Sequence, residues 1–472
     1  MKNPFRSLIL ITVFLLSISI FAKTAEPGWV KEAGAKTLPS NPKIFNANTF
    51  GANTDTTTLS TKALQTAIDS CSSHGGGIVT LNPGRYLIGS IFLKKGVNLR
   101  LDKDVVLLGS PFLKDYPEID TRVAGIEMKW PAALVNILNQ ENVSISGSGK
   151  IDAQGKPFWD SYWALRSEYN PKGLRWIVDY DCKRPRCVLV QNSKNITVSE
   201  VTIQRSGFWT IQVLYSSFVT VNKVIIRNNV GGHGPSTDGV DIDSSVKVLV
   251  ENCDIDCNDD NFCLKAGRDA DGLRVNRPCE YIVIRNCVAG AGGGLITCGS
   301  ETSGSIRNIW VDNLIAKGTS VGFRVKSAMN RGGVVENIFI NNVTMSDVAV
   351  PIEVTTNWNP AYSYSELPKG YAYDSIPVHW KKMLEKVPTK QGIPIFKNIY
   401  VNNLVATGAR RAISVSGQAE SIVDGFFLTD VNIEARSAGS INYSKGWRFK
   451  DVQLKATDEL MVTNCTDMQL GK

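Results

Sequence analysis

Three acidic residues carry the most chemistry in this sequence. Asp238 lies in Ser236-Thr237-Asp238-Gly239-Val240-Asp241, and Asp259 and Asp260 lie in Asn258-Asp259-Asp260-Asn261-Phe262-Cys263-Leu264-Lys265. The two clusters are 259 − 238 = 21 residues apart. Paired carboxyls held on neighbouring strands, about 4.8 Å apart, can face one glycosidic bond as proton donor and proton acceptor. Crowding three acids together raises at least one pKa, which keeps a donor protonated. Taken singly, Asp-Gly and Asn-Asp-Asp are also ordinary turn sequences. What distinguishes them is their spacing within a repeating chain.

Downstream, Arg324 and Lys326 in Arg324-Val325-Lys326 share one strand face at i, i+2. Two cations beside three carboxylates can grip a substrate carboxylate, the arginine through two parallel bonds. The competing reading is an internal ion-pair network with the aspartates themselves. No metal site is expected: there is no CxxC, and His74, His233 and His379 are widely separated. No cofactor motif is present either, so no cofactor is expected.

The elements that must position these groups are visible as a repeat. A nine-residue phrase recurs as NITVSEVTI from Asn195, FVTVNKVII, KVLVENCDI, YIVIRNCVA, NIWVDNLIA, NIFINNVTM, NIYVNNLVA and GFFLTDVNI. The offsets are 23, 29, 34, 27, 29, 61 and 27 residues, the longest reading as two turns plus an insertion. Each phrase alternates apolar and polar residues, breaks at a polar pair and resumes, as strand, bend and strand. Such a unit at solenoid spacing predicts an all-β fold, a single parallel β-helix, over a β-sandwich. Asn252, Asn286, Asn313, Asn342 and Asn403 sit at the bends, where asparagine tolerates the backbone and can bond its copy one coil on. Cys253 and Cys287 occupy equivalent places and should stack as two free thiols, since stacking need not meet disulfide geometry.

Residues 26–110 are read as an N-terminal capping segment and first coils, and 111–472 as the catalytic β-helix. Leu64, Ala67, Ile68 and Cys71 follow a helical period after a candidate cap at Ser60 or Thr61, predicting one helix over the open end of the coil. Segments 155–186 and 357–394 break the rhythm and are predicted to be long loops walling a groove. Lys2 and Arg6 before the apolar run Leu8 to Phe21 mark residues 1–25 as a signal peptide, hence a secreted or periplasmic protein, free of the membrane once cleaved. The chain carries 52 Lys+Arg against 44 Asp+Glu, or +8; removing Lys2, Arg6 and Lys23 leaves 8 − 3 = +5. That mild positive charge suits a polyanionic ligand without demanding one. Hydrophobic residues at 43% exclude a disordered chain. No nucleic-acid partner is expected, and the protein is expected to act as a monomer.

Together these motifs resemble the polygalacturonase-type enzymes of glycoside hydrolase family 28. Ser236-Thr237-Asp238 is similar to that family's Asn-Thr-Asp, Asp259-Asp260 to its paired aspartates and Arg324-Val325-Lys326 to its Arg-Ile-Lys. Phe50-Gly51-Ala52, Gly75-Gly76-Gly77 and Pro83-Gly84-Arg85-Tyr86 resemble its N-terminal region. The resemblance implies a right-handed β-helix and single-displacement, inverting hydrolysis of galacturonan. Asp259 would be the general acid, Asp238 and Asp260 would activate water, and Arg324 and Lys326 would bind galacturonate. Two departures bear on the substrate. The family's Gly-His-Gly is missing from the stretch Gly292-Gly293-Gly294 to Glu301. His233 in Gly232-His233-Gly234 is read as a groove-rim loop residue, with substitution in space as the lesser alternative, and Trp358 stands nearest to the family's substrate-contacting tyrosine. The expected activity is hydrolysis of a pectic polysaccharide or oligosaccharide, acting from a chain end. The alternatives are a rhamnogalacturonan hydrolase, a calcium-dependent lyase and an inactive pectin-binding solenoid.

Overall fold

The computed structural model describes residues 25–471, so the expected signal peptide lies, apart from Ala25, outside the described residues. From Ile44 onward the chain winds into a parallel β-helix. One turn runs through Val240–Asp243, Val246–Glu251 and Asp254–Asp256, and the next through Phe262–Lys265 and Cys279–Ala289. Neighbouring turns pair in phase: Val219 lies beside Val248, and Leu249 beside Val283. The repeated phrases are these strands, with inward residues such as Val248, Val250 and Ile255 fully buried in one continuous core. Outward residues alternate with them, as the pleat requires.

The bends behave as the asparagines predict. Asn252, Asn286, Asn313, Asn342 and Asn403 all have φ between 52° and 56°, which asparagine adopts more readily than other side chains. Asn252 donates to Asn222 at 2.8 Å, Asn313 to Asn286 at 2.8 Å and Asn403 to Asn342 at 2.8 Å, while Asn342 donates to the Asp312 carboxylate at 2.5 Å, so the bend is a ladder of amides with one carboxylate rung. Cys253 and Cys287 stack as unpaired thiols, the Cys253 N–H lying 3.4 Å from Cys287 Sγ.

The capping helix is Thr61–Ser73, and its buried face is Leu64, Ala67, Ile68 and Cys71. Ser60 precedes it, but its hydroxyl is spent on Asn53, donating to that carbonyl at 3.0 Å instead of capping the helix. Among the described residues a single strand pair, Glu118–Val123 with Ile126–Pro131, is antiparallel. This hairpin belongs to the region that the repeat does not explain.

There the structure departs from the predicted loops. Segment 155–186 folds into the helix Lys156–Tyr169, opened by Pro157 in its first turn and braced by Lys156–Asp160, followed by the short helix Val178–Asp181. Segment 357–394 holds the short helices Pro360–Ser363, Val378–Met383 and Thr389–Gly392. The two segments do not flank the coil from opposite sides. They meet in a second core with the hairpin, where Trp130, Trp176, Tyr180, Phe208, Trp380 and Met383 are buried together. Trp176 and Trp380 pack edge to face at 5.5 Å. Asp181 accepts from Trp380 Nε1 at 2.8 Å and contacts His379 Nε2 at 2.5 Å, tying one segment to the other.

Candidate active site

The strand register decides which carboxylates meet. Val240 pairs with Phe262, an offset of 262 − 240 = 22, so Asp238 lies opposite Asp260 and Asp259 stands one residue out of step. Backbone bonds lock this arrangement: Gly239 N donates to Asp260 O at 2.9 Å, and Thr210 N to Asp238 O at 3.0 Å. A carboxylate oxygen from each of Asp238 and Asp260, together with Cys263 Sγ, lies within 4.8 Å of the others. Lysines already supply the positive charge at these carboxylates. Lys326 Nζ donates to Asp260 Oδ2 at 2.9 Å, and Lys265 Nζ lies 3.8 Å from Asp238 Oδ2.

Asp238, Asp259, Asp260, Lys326 and Trp358 line one cavity on the flank of the coil. Phe208, Trp209, Arg175, Asp179 and Tyr362 also face it, bringing the second core to its edge. Arg324 is 12% exposed and outside that lining; it bonds Glu353 at 2.9 Å and approaches Asp260 at 3.4 Å. The internal ion-pair reading of this cation pair therefore holds for the empty cavity. His233 is not brought in: it is exposed on the preceding loop, and its carbonyl accepts from Trp163 Nε1 at 3.3 Å. Trp358 is at the rim as expected, but one ring face is covered by Lys326 Nζ at 4.3 Å. Gly293, in the stretch where the family's histidine is missing, packs closely on Asp259; a Cβ there would lie 3.3 Å from Asp259 Oδ1, so the site has little room for a side chain at this position.

The environment drives adjacent acids apart. Burial and then the Asp260 charge push Asp259 above the ordinary carboxylate range. Burial opposes the charged form of Asp260 as well, but Lys326, Arg324 and Lys265 outweigh it and hold Asp260 well below that range. Thr297 Oγ1 adds a bond to Asp260 Oδ1 at 2.8 Å. Two adjacent acids are thus driven in opposite directions, one towards proton donor and one towards acceptor, the pairing that acid–base catalysis needs. Asp238 is pushed well above the ordinary carboxylate range by burial, by Asp241 and by Asp259.

Four partners escaped sequence reasoning. Lys265 is buried with Nζ 3.6 Å from Asp241 and 3.4 Å from Glu301, over the Trp209 ring at 4.7 Å. Asp241 is fully buried, and neither carboxylate oxygen has a hydrogen-bond partner. A period of two from Cys263 puts Lys265 on the outer face with the acids, a signal within the quoted motif. Glu301 and Arg175 carried no such signal, because their places follow from how distant segments pack.

Residues 111–370 match the sequence profile of glycosyl hydrolases family 28. A probable polygalacturonase from Vitis vinifera is 27% identical over 395 residues, covering 81% of this chain and 73% of its own. An endo-polygalacturonase from Pectobacterium carotovorum subsp. carotovorum is 30% identical over 353 residues, covering 72% and 80%. Among solved structures, an exopolygalacturonase from Thermotoga maritima superposes with a TM-score of 0.74 at 26% identity, over 92% of this chain and 94% of that one. The right-handed parallel β-helix and a profile spanning more than half of the sequence carry the same conclusion as the site: the chain is a glycoside hydrolase and belongs to glycosyl hydrolases family 28.

Proposed function

We propose that this protein is a secreted or periplasmic polygalacturonase, acting as a monomer, that trims galacturonan from a chain end by inverting hydrolysis. Asp259 donates its proton to the glycosidic oxygen, and that bond breaks as the leaving sugar departs. A water held by Asp260 and Asp238 attacks the anomeric carbon from the opposite face, and its proton passes to a carboxylate. The observation that carries this reading is the split between neighbours: Asp259 pushed above the ordinary carboxylate range, Asp260 held below it with Lys326 Nζ at 2.9 Å. Relatives named for both exo- and endo-action occur, so family membership alone does not select a mode. The wall built by 155–186 and 357–394 at the edge of the cavity favours an end-cutting enzyme.

The test is product analysis on polygalacturonate. Reducing ends should rise while viscosity falls slowly, with mono- or disaccharide as the first product and no unsaturated ends, with or without chelator. A rapid viscosity collapse with mid-length oligomers would show an open groove. The Gly292-Gly293-Gly294 stretch in place of the family's Gly-His-Gly favours one second reading, a rhamnogalacturonan substrate, and release from that polymer alone would select it.

A further inference from the structure

The cations facing the cavity are not equally matched. Lys326 is paired with Asp260, and Lys265 sits among Asp238, Asp241 and Glu301. Arg175 is different. Its Nη1 donates to Asp179 Oδ2 at 2.8 Å, but Asp179 also accepts from Arg184 Nη2 at 3.0 Å and from Ser236 Oγ at 3.1 Å. Among the described residues neither arginine is paired with another carboxylate. Two guanidinium groups share one anion, which leaves a surplus positive charge. Arg184 cannot present it, being fully buried between the Tyr162 and Phe208 rings with Nη1 bonded to the Pro235 carbonyl. Arg175 can: its side chain is 18% exposed, lies 4.9 Å over the Tyr362 ring and borders the cavity shared with Asp238 and Asp259.

We propose that Arg175 binds the carboxylate of the uronate unit seated in the cavity and so makes the enzyme prefer the free acid over its ester. The proposal rests on the galacturonan reading above. Asp179 anchors one edge of the guanidinium, while Leu174 and Trp176, each 1% exposed, fix the backbone on either side. The planar fork is therefore set before substrate arrives, and little side-chain freedom is lost on binding. An incoming carboxylate supplies the counter-anion that the Arg175–Asp179–Arg184 group lacks. A neutral ester leaves the charge unmatched, a penalty that discriminates as strongly as the contact attracts.

Calorimetric titration with digalacturonate and its methyl ester tests this in an Asp259→Asn background, where ligand is not consumed. Adding Arg175→Gln should weaken binding of the acid about 10- to 100-fold and leave the ester nearly unchanged, the effect of losing a charge-assisted forked bond. Arg175→Lys keeps the charge without the fork and should lose less. An acid-to-ester ratio unaltered in Arg175→Gln overturns the proposal. Should Arg175→Gln loosen the wall, seen as a lowered melting temperature, Arg175→Lys decides: an unaltered ratio there overturns it equally. Turnover of polygalacturonate by the unsubstituted enzyme is measured in parallel. Turnover with no Arg175 effect removes this inference alone, whereas no turnover, and no binding of either ligand, removes the galacturonan reading too.

Discussion

The coils and the wall beside them are built on different principles. In the coils inward residues pack against their counterparts one turn away: Ile282 on Ile309, Ile309 on Ile338 and Ile338 on Ile399, the last pair showing that the 61-residue step is one turn with an insertion and not two turns. Stability there is a sum of similar nearest-neighbour terms, and a defect stays local. The wall is assembled once, from stretches around Trp130, Trp176, Phe208 and Trp380 that share no period. The difference divides the labour. A rigid coil step fixes the carboxylates of the cavity to one another, and the unrepeated wall borders that cavity.

The largest effect should come from the coil's chemistry. Asp259→Asn should lower kcat on polygalacturonate about 100- to 10,000-fold with KM nearly unchanged, because a proton donor acts in the transition state. A KM rise with kcat intact would mean that Asp259 merely binds. Next is the wall. Trp380→Ala removes a side chain that is 4% exposed and should cost about 3–5 kcal/mol locally. The main urea transition and the strand circular dichroism should hold while the first products lengthen. Coils and wall melting together, with unchanged products, would abolish the distinction drawn between them.

The pH profile separates the two acids. Asp260, held down by its cations, should set an acid limb below the ordinary aspartate value of 3.8, where it takes up a proton and activity falls. Asp259, raised by burial and by Asp260, should set the alkaline limb above 3.8, where it loses its proton and activity falls again. Lys326→Met should move the acid limb upward, since the leading cation is gone; log kcat against pH reads both limbs. A limb that stays in place would mean that Lys326 does not govern Asp260.

The smallest effect belongs to the bend ladder. Asn342→Ala should cost about 2 kcal/mol, from the lost hydrogen bonds to Asp312 and from Asn403 and a strained backbone at φ 54°. Asn342→Gly relieves the strain and should cost about 1 kcal/mol by urea denaturation. Equal losses in the two variants would show that the amide bond, not the backbone, is what asparagine supplies.

Much of this was legible in the sequence because the coil is a local code. Alternation, a polar bend and a return within three dozen residues predict strand, turn and stacking, and the amides of Asn252 and Asn313 lie where that code puts them. The capping helix was legible through its apolar stripe, and Asp238, Asp259 and Asp260 through residue type and spacing. The spacing alone set Asp238 against Asp259. Register set it against Asp260, because backbone bonds and not residue counts fix which positions lie side by side.

What the tertiary structure alone decided is the environment of those groups. Trp176 and Trp380 are 380 − 176 = 204 residues apart, and no periodicity announces that they touch. For the same reason the sequence could not say that 155–186 would fold as helix against 357–394, that His233 would stay outside the cavity, or that Asp179 would be shared by two arginines. Residue type and local period determine the scaffold and the reacting groups. Burial and charge at those groups depend on side chains brought in from far along the chain, and these push Asp259 above the ordinary carboxylate range and hold Asp260 below it.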